Sequence, residues 1–192
     1  ATISAIMTAL EDWDGNDISV TATAEVSQPE RTTEQLSQIQ DVLGTYSTTT
    51  RNANSSKMTN LEVGVGYTTG ILIMPGETWS MYEALAPFNA ENGYVKQVAY
   101  SNGGYVDEYG GGICQLATTL YNAALLAEVN ISERYNHSMT VGYTDYGLDA
   151  TINDSGSKDL KLTNDFDFPI YIEASVTSGI DGYATYTIWG KE

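Results

Sequence analysis

The stretch Glu108–Val129, "EYGGGICQLATTLYNAALLAEV", decides how the rest of the chain is read. Gly110, Gly111 and Gly112 lead into Cys114, the single cysteine, and from there Leu116, Leu120, Ala123 and Ala127 form one apolar row joined by Ala124 and Leu125. That spacing predicts a helix of about four turns that begins at or just before Cys114. A thiol at the head of a helix lies where backbone N–H groups lack intrahelical partners and the helix dipole is positive. Both effects favour the thiolate, which is the reactive form of cysteine. Glycines on the approach admit φ values closed to other residues and let another backbone, such as a bound peptide, pass close by. They can also aim N–H groups at a developing oxyanion. A lone cysteine is otherwise a small buried hydrophobe. Whether Cys114 is core or nucleophile turns on whether a base reaches it.

The only histidine, His137, follows Cys114 by 23 residues, at "YNHSM". A helix, a turn and a strand occupy that interval, so a returning chain can bring the imidazole back to the helix start. A nucleophilic cysteine needs such a base, and the base needs a carboxylate or amide to orient it. Asp149 in "GLDATI" is the expected orienting group, with Asp145 and Asn136 as competitors. Arg134, Arg51 and Lys96 are candidates to hold a substrate carboxylate. Trp79, Tyr105, Tyr109 and Tyr143 are candidates to line a peptide groove. The glycine run is not followed by Lys-Ser or Lys-Thr, which rejects a phosphate-binding loop.

Composition narrows the function classes. The 192 residues suffice for one substantial domain, and 42% hydrophobic content supports a core. Twenty-five acidic against eight basic residues give a net charge of −17, which opposes nucleic-acid and anionic-lipid binding. One cysteine excludes an internal disulfide, and one Cys with one His cannot build a structural zinc site, so no metal or other cofactor is expected. No apolar run approaches the ~20 residues of a bilayer span. The abrupt opening "ATISAIMTAL" suggests a piece of a longer protein.

Along the chain, "ISAIMTALEDW" has helical spacing and "DISVTATAEV" alternates as a strand. Thr32 or Thr33 is expected to cap a short helix through Val42, ended by Gly44. A helix is expected around Met58, Leu61 and Val65, then a buried strand interrupted by the Pro-Gly turn in "ILIMPGETWSM". Residues 83–95 read as loop, and "VKQVAYSNGGYVDEY" as strand, Gly-Gly turn and strand. After the Cys114 helix come five β-like segments, "ISERYNH", "SMTVGYTDYG", "LKLTNDFDF", "PIYIEASV" and "YATYTIWG". The expected class is α+β, with a mixed or antiparallel sheet packed on the cysteine-bearing helix.

At "GGGICQLATTLYNAALLAEVNISERYNHSMTVGYTDYGLDATI" the chain closely resembles the VanW domain family, named for a protein encoded in some vancomycin-resistance clusters. The resemblance extends through "GILIMPGETWSMYEALAPFNAENGY" upstream and "TNDFDFPIYIEASV" downstream, roughly residues 45–190. Residues 1–31 are similar to the end of a peptidoglycan-binding domain that often precedes VanW domains, leaving 32–192 as the VanW domain. The resemblance implies an extracellular L,D-transpeptidase of bacterial, Gram-positive cell-wall biogenesis. Cys114 matches the family's GGG-[IV]-C-Q motif as nucleophile, His137 and Ser138 its "HS" pair, and Asp149 its "DAT" triplet. The implied partners are peptidoglycan stem peptides: a tetrapeptide donor and the amine of a diamino acid as acceptor. Gly111, Gly112, Ser138 and Arg134 are then the expected oxyanion and substrate contacts. Tyr135-Asn136 stands where members often carry His-Pro, which leaves no second histidine to compete as base. The order Cys114, His137, Asp149 is also similar, as a layout, to transglutaminase-like and papain-like folds. Hydrolysis by a cysteine peptidase, and a non-catalytic wall-binding module, are the alternatives.

Overall fold

The computed structural model describes residues 2–22, 24, 27, 29–101 and 104–192, and for 99–101 and 104–106 the backbone. The chain divides into two compact units, Ala1–Thr32 and Thr33–Glu192. In the first, α1 (Thr2–Glu11) follows the expected helical spacing, yet none of its residues is buried. The strand expected over 17–26 does not form at 17–22, and the rest of it lies largely outside the described residues.

The second unit is α+β with antiparallel strand pairing throughout the described residues. After the one-turn α2 (Thr33–Leu36) the chain enters β1 (Asp41–Thr49), so Val42 and Gly44 lie in a strand, not at a helix end. Helix α3 (Ser55–Thr68) is capped by Asn54, whose side chain accepts the Lys57 N–H. The "ILIMPGETWSM" segment splits at its turn into β2 (Ile71–Ile73) and β3 (Thr78–Ser80), which enter different sheets. Helix α4 (Met81–Leu85) occupies part of the expected loop, because Ser80 caps it by accepting the Glu83 N–H. The hairpin β4 (Lys96–Ser101) and β5 (Gly104–Tyr109) leads into α5 (Ile113–Leu126), and its expected Gly-Gly turn falls partly outside the described residues. Then follow β6 (Asn130–Glu133), β7 (Lys161–Thr163), β8 (Ile170–Val176) and β9 (Tyr183–Gly190).

The strands make three sheets, in the orders β1-β9-β8-β2, β3-β7-β6 and β4-β5. In β9 the inward set Ala184, Tyr186 and Ile188 is fully buried, and it alternates with Thr185, Thr187 and Trp189. That period of two turns one face of the large sheet toward α5 and α3. On the opposite face the Thr45–Thr187 and Ser47–Thr185 hydroxyl pairs close across β1 and β9. One of the five β-like segments was misread. "SMTVGYTDYG" alternates only weakly and forms bends, a turn and irregular chain with no strand partner among the described residues.

Helix α5 sits close against β1, and Gly44 makes this possible. A Cβ there would lie 2.6 Å from both the Ala123 carbonyl oxygen and the Ala127 nitrogen. These are backbone atoms of the helix end, so neither can rotate aside. Gly44→Ala is therefore expected to destabilise the fold by roughly 1–3 kcal/mol. At ~2–4 °C per kcal/mol for a chain of this size, thermal denaturation should show the loss. An unchanged Tm would mean that strand and helix can part freely.

Candidate active site

Cys114 is the second residue of α5 and is half-buried. The preceding glycines each have a local reason. Gly110 and Gly112 take φ of 75° and 108°, in the region that favours glycine. Gly111 is buried, and a Cβ on it would lie 2.8 Å from the Gln97 side chain. Its carbonyl accepts a hydrogen bond from the Asn60 amide at 3.0 Å. The glycine run is thus shaped by Phe88, Gln97 and Lys57 of this same chain, which occupy the space side chains would need. The Ile113 and Gln115 N–H groups bond to the Gly110 and Gly112 carbonyls. No backbone carbonyl among the described residues accepts the Cys114 N–H, which lies between them.

The structure brings His137 and Asp149 to Cys114. His137 Nδ1 and Asp149 Oδ2 are 2.7 Å apart, and the same oxygen accepts the His137 backbone N–H at 2.6 Å. An ionised carboxylate only accepts, so Nδ1 carries the proton and donates. Nε2 is then the ring nitrogen left unprotonated, and the thiol and imidazole each shift the other's pKa. Burial raises the proton affinity of the thiol. The His137 hydrogen bond, the Thr151 hydroxyl and the imidazole's charge outweigh it and hold the Cys114 pKa below its ordinary value. For His137, burial opposes the charged ring, while Cys114 and Asp149 together bring its pKa above the ordinary imidazole range. Both shifts run toward a thiolate–imidazolium pair.

A polar stripe on one face of α5 sets this geometry. Cys114, Thr118 and Asn122 recur every four residues, on one face of α5. Thr118 Oγ1 donates to the Ala150 carbonyl and accepts the Ala150 N–H, both at 3.0 Å. The Asn122 amide donates to the Leu148 carbonyl at 2.7 Å. The segment 148–152 is thereby strapped along the helix as an extended chain without a sheet partner. Asp149 lies on this strap, at a distance from any strand that the sequence reading did not foresee. Beyond it Thr151 Oγ1 and the Ile152 carbonyl each lie 3.3 Å from the sulfur. The Thr151 N–H bonds to the Tyr135 carbonyl, which joins the strap to the segment that carries His137.

Arg134 is placed differently from the substrate contact expected of it. Its guanidinium donates to the Asp149 carbonyl, the Gly147 carbonyl and Asp149 Oδ1, and it packs over the Tyr121 ring. With its donors turned inward it braces the acid. Burial opposes ionisation of Asp149, yet the His137 N–H, the imidazole and the Arg134 charge keep its carboxyl below the usual range. Of the competing acids and amides, Asp145 is exposed and Asn136 bonds to the His137 carbonyl. Ser138 is exposed and, with His137, Met139, Tyr146 and Asp149, lines a cleft of about 200 Å³. Arg51 and Lys96 are exposed, Lys96 over the Tyr109 ring. Trp79 packs against the core, and the Tyr105 side chain lies outside the described residues.

Three contributors escaped the sequence reading: Thr151, the Ile152 carbonyl and the Thr118–Asn122 clamp. Thr118 and Asn122 left a readable trace, since buried polar residues four and eight positions after a helical cysteine must find partners. Thr151 and Ile152 left none. Tyr143, expected as a groove aromatic, is close enough to the thiol to feel its charge. Burial raises its phenol pKa first, and the Cys114 charge adds to the rise.

A model of the VanW-like protein family matches residues 56–189. An uncharacterized protein of Bacillus subtilis (strain 168), YoaR, is 31% identical over 137 residues, covering 71% of this chain and 45% of its own length. The vancomycin B-type resistance protein VanW of Enterococcus faecalis (strain ATCC 700802 / V583) is 32% identical over 117 residues, covering 58% of this chain and 42% of its own length. The chain thus spans less than half the length of the curated relatives it matches. No solved structure matches it.

Proposed function

The chain belongs to the VanW-like family, and on that premise we propose that it serves bacterial cell-wall metabolism as a cysteine-dependent L,D-transpeptidase of peptidoglycan stem peptides. The observation that supports this reading most is the His137–Asp149 pair at 2.7 Å, with the thiol's pKa lowered by the imidazole and the imidazole's raised by the thiol and the carboxylate. Such a pair performs acyl transfer. The Cys114 thiolate attacks the carbonyl before the terminal D-alanine, and a C–S bond forms. The C–N bond then breaks as the His137 imidazolium gives its proton to the leaving amine, which departs as D-alanine. A side-chain amine of a neighbouring stem attacks the thioester, His137 takes its proton, and the C–S bond breaks to leave a 3–3 cross-link and the thiolate. The Cys114 N–H, at the positive end of α5, is the oxyanion donor in this scheme, and losing such a donor typically costs ~10²–10³ in rate. Asp149 keeps the imidazole in the tautomer that presents Nε2. No step calls for a cofactor. The reading places the domain on the outer face of the cytoplasmic membrane or in the wall.

Incubating the protein with a stem tetrapeptide and resolving the products by mass spectrometry tests the proposal. Release of D-alanine with a cross-linked dimer is expected. Tripeptide without dimer would make water the acceptor and the protein a peptidase. No release of D-alanine from any stem peptide would reject the enzymatic reading.

A further inference from the structure

Lys57 lies in the first turn of α3, folded against the head of α5. A Cβ on Gly112 would meet the Lys57 stem at 2.9 Å, so the missing side chain two residues before Cys114 is the seat of the lysine. The ammonium stands 5.7 Å from the centroid of the Tyr143 ring, whose phenol pKa is raised by burial first and then by the charges of Cys114 and Asp149. Lys57 thus packs on the glycine run two residues before Cys114 and faces the Tyr143 ring. Its position is costly for a cation. It is half-buried, burial lowers its pKa, and it sits at the positive end of α3. Among the described residues no carboxylate lies within ion-pair distance of it, whereas the ion pairs found belong to Arg134, His137 and Lys161. In a chain with 25 acidic residues, a desolvated lysine left without an acid partner at the glycine run that leads into Cys114 is an unmet demand for an anion.

We propose that Lys57 is a specificity residue of the acyl donor site, binding the free α-carboxylate of the residue that leaves. This rests on the acyl-transfer reading of Cys114. The group a thiol displaces from a peptide end carries its carboxylate one residue past the scissile carbonyl, roughly 3.5 Å along an extended chain. A cation seated on Gly112, two residues before Cys114, suits that offset. Lys57 and Tyr143 are both partly buried, and lower exposure to water strengthens a charge-assisted bond. The donor is accordingly a peptide with a free C-terminal carboxylate, and cleavage is confined to its last bond. A stem peptide amidated only at its terminal D-alanine is a poor donor.

Two experiments decide this, and they can fail separately from the functional reading. The first needs no substrate. Cys114 is alkylated with iodoacetate and with iodoacetamide, an anionic and a neutral reagent, in the wild type, Lys57→Met and Lys57→Arg. The iodoacetate-to-iodoacetamide rate ratio should fall about 3–10-fold in Lys57→Met, which keeps the stem on Gly112, and survive in Lys57→Arg. An unchanged ratio overturns the proposal. So does an equal slowing of both reagents, which would make Lys57 a regulator of the thiolate. The second compares D-alanine release from the tetrapeptide with alaninamide release from its terminal amide. The wild type should favour the acid by about 10–100-fold in kcat/KM, with the preference lost in Lys57→Met through KM. A preference that persists in Lys57→Met overturns the proposal. If the wild type turns over neither peptide, the transpeptidase reading fails and the alkylation ratio still decides on Lys57.

Discussion

Cys114→Ala is expected to lower D-alanine release from a stem tetrapeptide by on the order of 10⁴–10⁶ while leaving the fold in place. Removal of a nucleophile from a coupled triad costs about as much as removal of the whole triad, because base and orienting acid have nothing left to activate. The structural cost is small by comparison. The sulfur is half-buried, and its losses are the contacts to Thr151 Oγ1 and the Ile152 carbonyl at 3.3 Å. Deleting such bonds costs about 0.5–1.5 kcal/mol each. Thermal denaturation should therefore show a small drop in Tm beside a complete loss of turnover. Activity that survives Cys114→Ala would make the cysteine a packing residue and remove the enzymatic reading with it.

Asp149→Asn is expected to be nearly as damaging, although it changes one atom. Asp149 Oδ2 accepts from both the His137 backbone N–H and Nδ1. An asparagine amide in that place would donate to Nδ1 and drive the ring proton to Nε2. The ring could then no longer accept the thiol proton, and a loss of ~10³–10⁴ in kcat is expected by analogy with triads that carry the wrong tautomer. The pH dependence distinguishes this cause from unfolding. With Asp149 present the thiol pKa is held low and the imidazole pKa high, so thiolate exists at pH values below the ordinary ~8.5 of a free thiol. Without the carboxylate the imidazolium loses a partner, its pKa falls, and the thiol pKa rises toward ordinary. Alkylation of Cys114 should slow in Asp149→Asn near neutral pH and recover above pH ~9. A rate profile that matches the wild type would remove Asp149 from the orienting role. Arg134 limits the collateral damage, because its bonds to the Asp149 and Gly147 carbonyls do not depend on the carboxylate.

Some of this was open to reading before any coordinates. The strands β8 and β9 follow their apolar periodicity because each buries one face, and the helix over Ile113–Leu126 follows its spacing although it is buried on nearly all sides. Val42 and Gly44 show the opposite case. Their segment has helix-like caps nearby, but pairing with Trp189 and Ile188, far along the chain, wins over local preference. The segment 138–147 was misread for a related reason. Weak alternation looks like a strand when nothing in the sequence says that the flanking backbone is bonded to helix side chains.

What the chain determined by itself is the reactive centre's starting point: a single thiol, at the head of a helix, behind three glycines, with one histidine downstream. Helix starts, helix periodicity and positive-φ turns depend on residues a few positions apart, so they can be read in order. Only the tertiary structure decided how the thiol's surroundings are built. It strapped Asp149, Thr151 and Ile152 along Thr118 and Asn122, turned Arg134 inward to brace the acid, and laid Lys57 into the space left by Gly112. These contacts join residues 15 to 55 positions apart. Their partners are chosen by which buried polar groups remain unsatisfied once the sheets have closed on α5, a condition set by the whole fold and not by any local run.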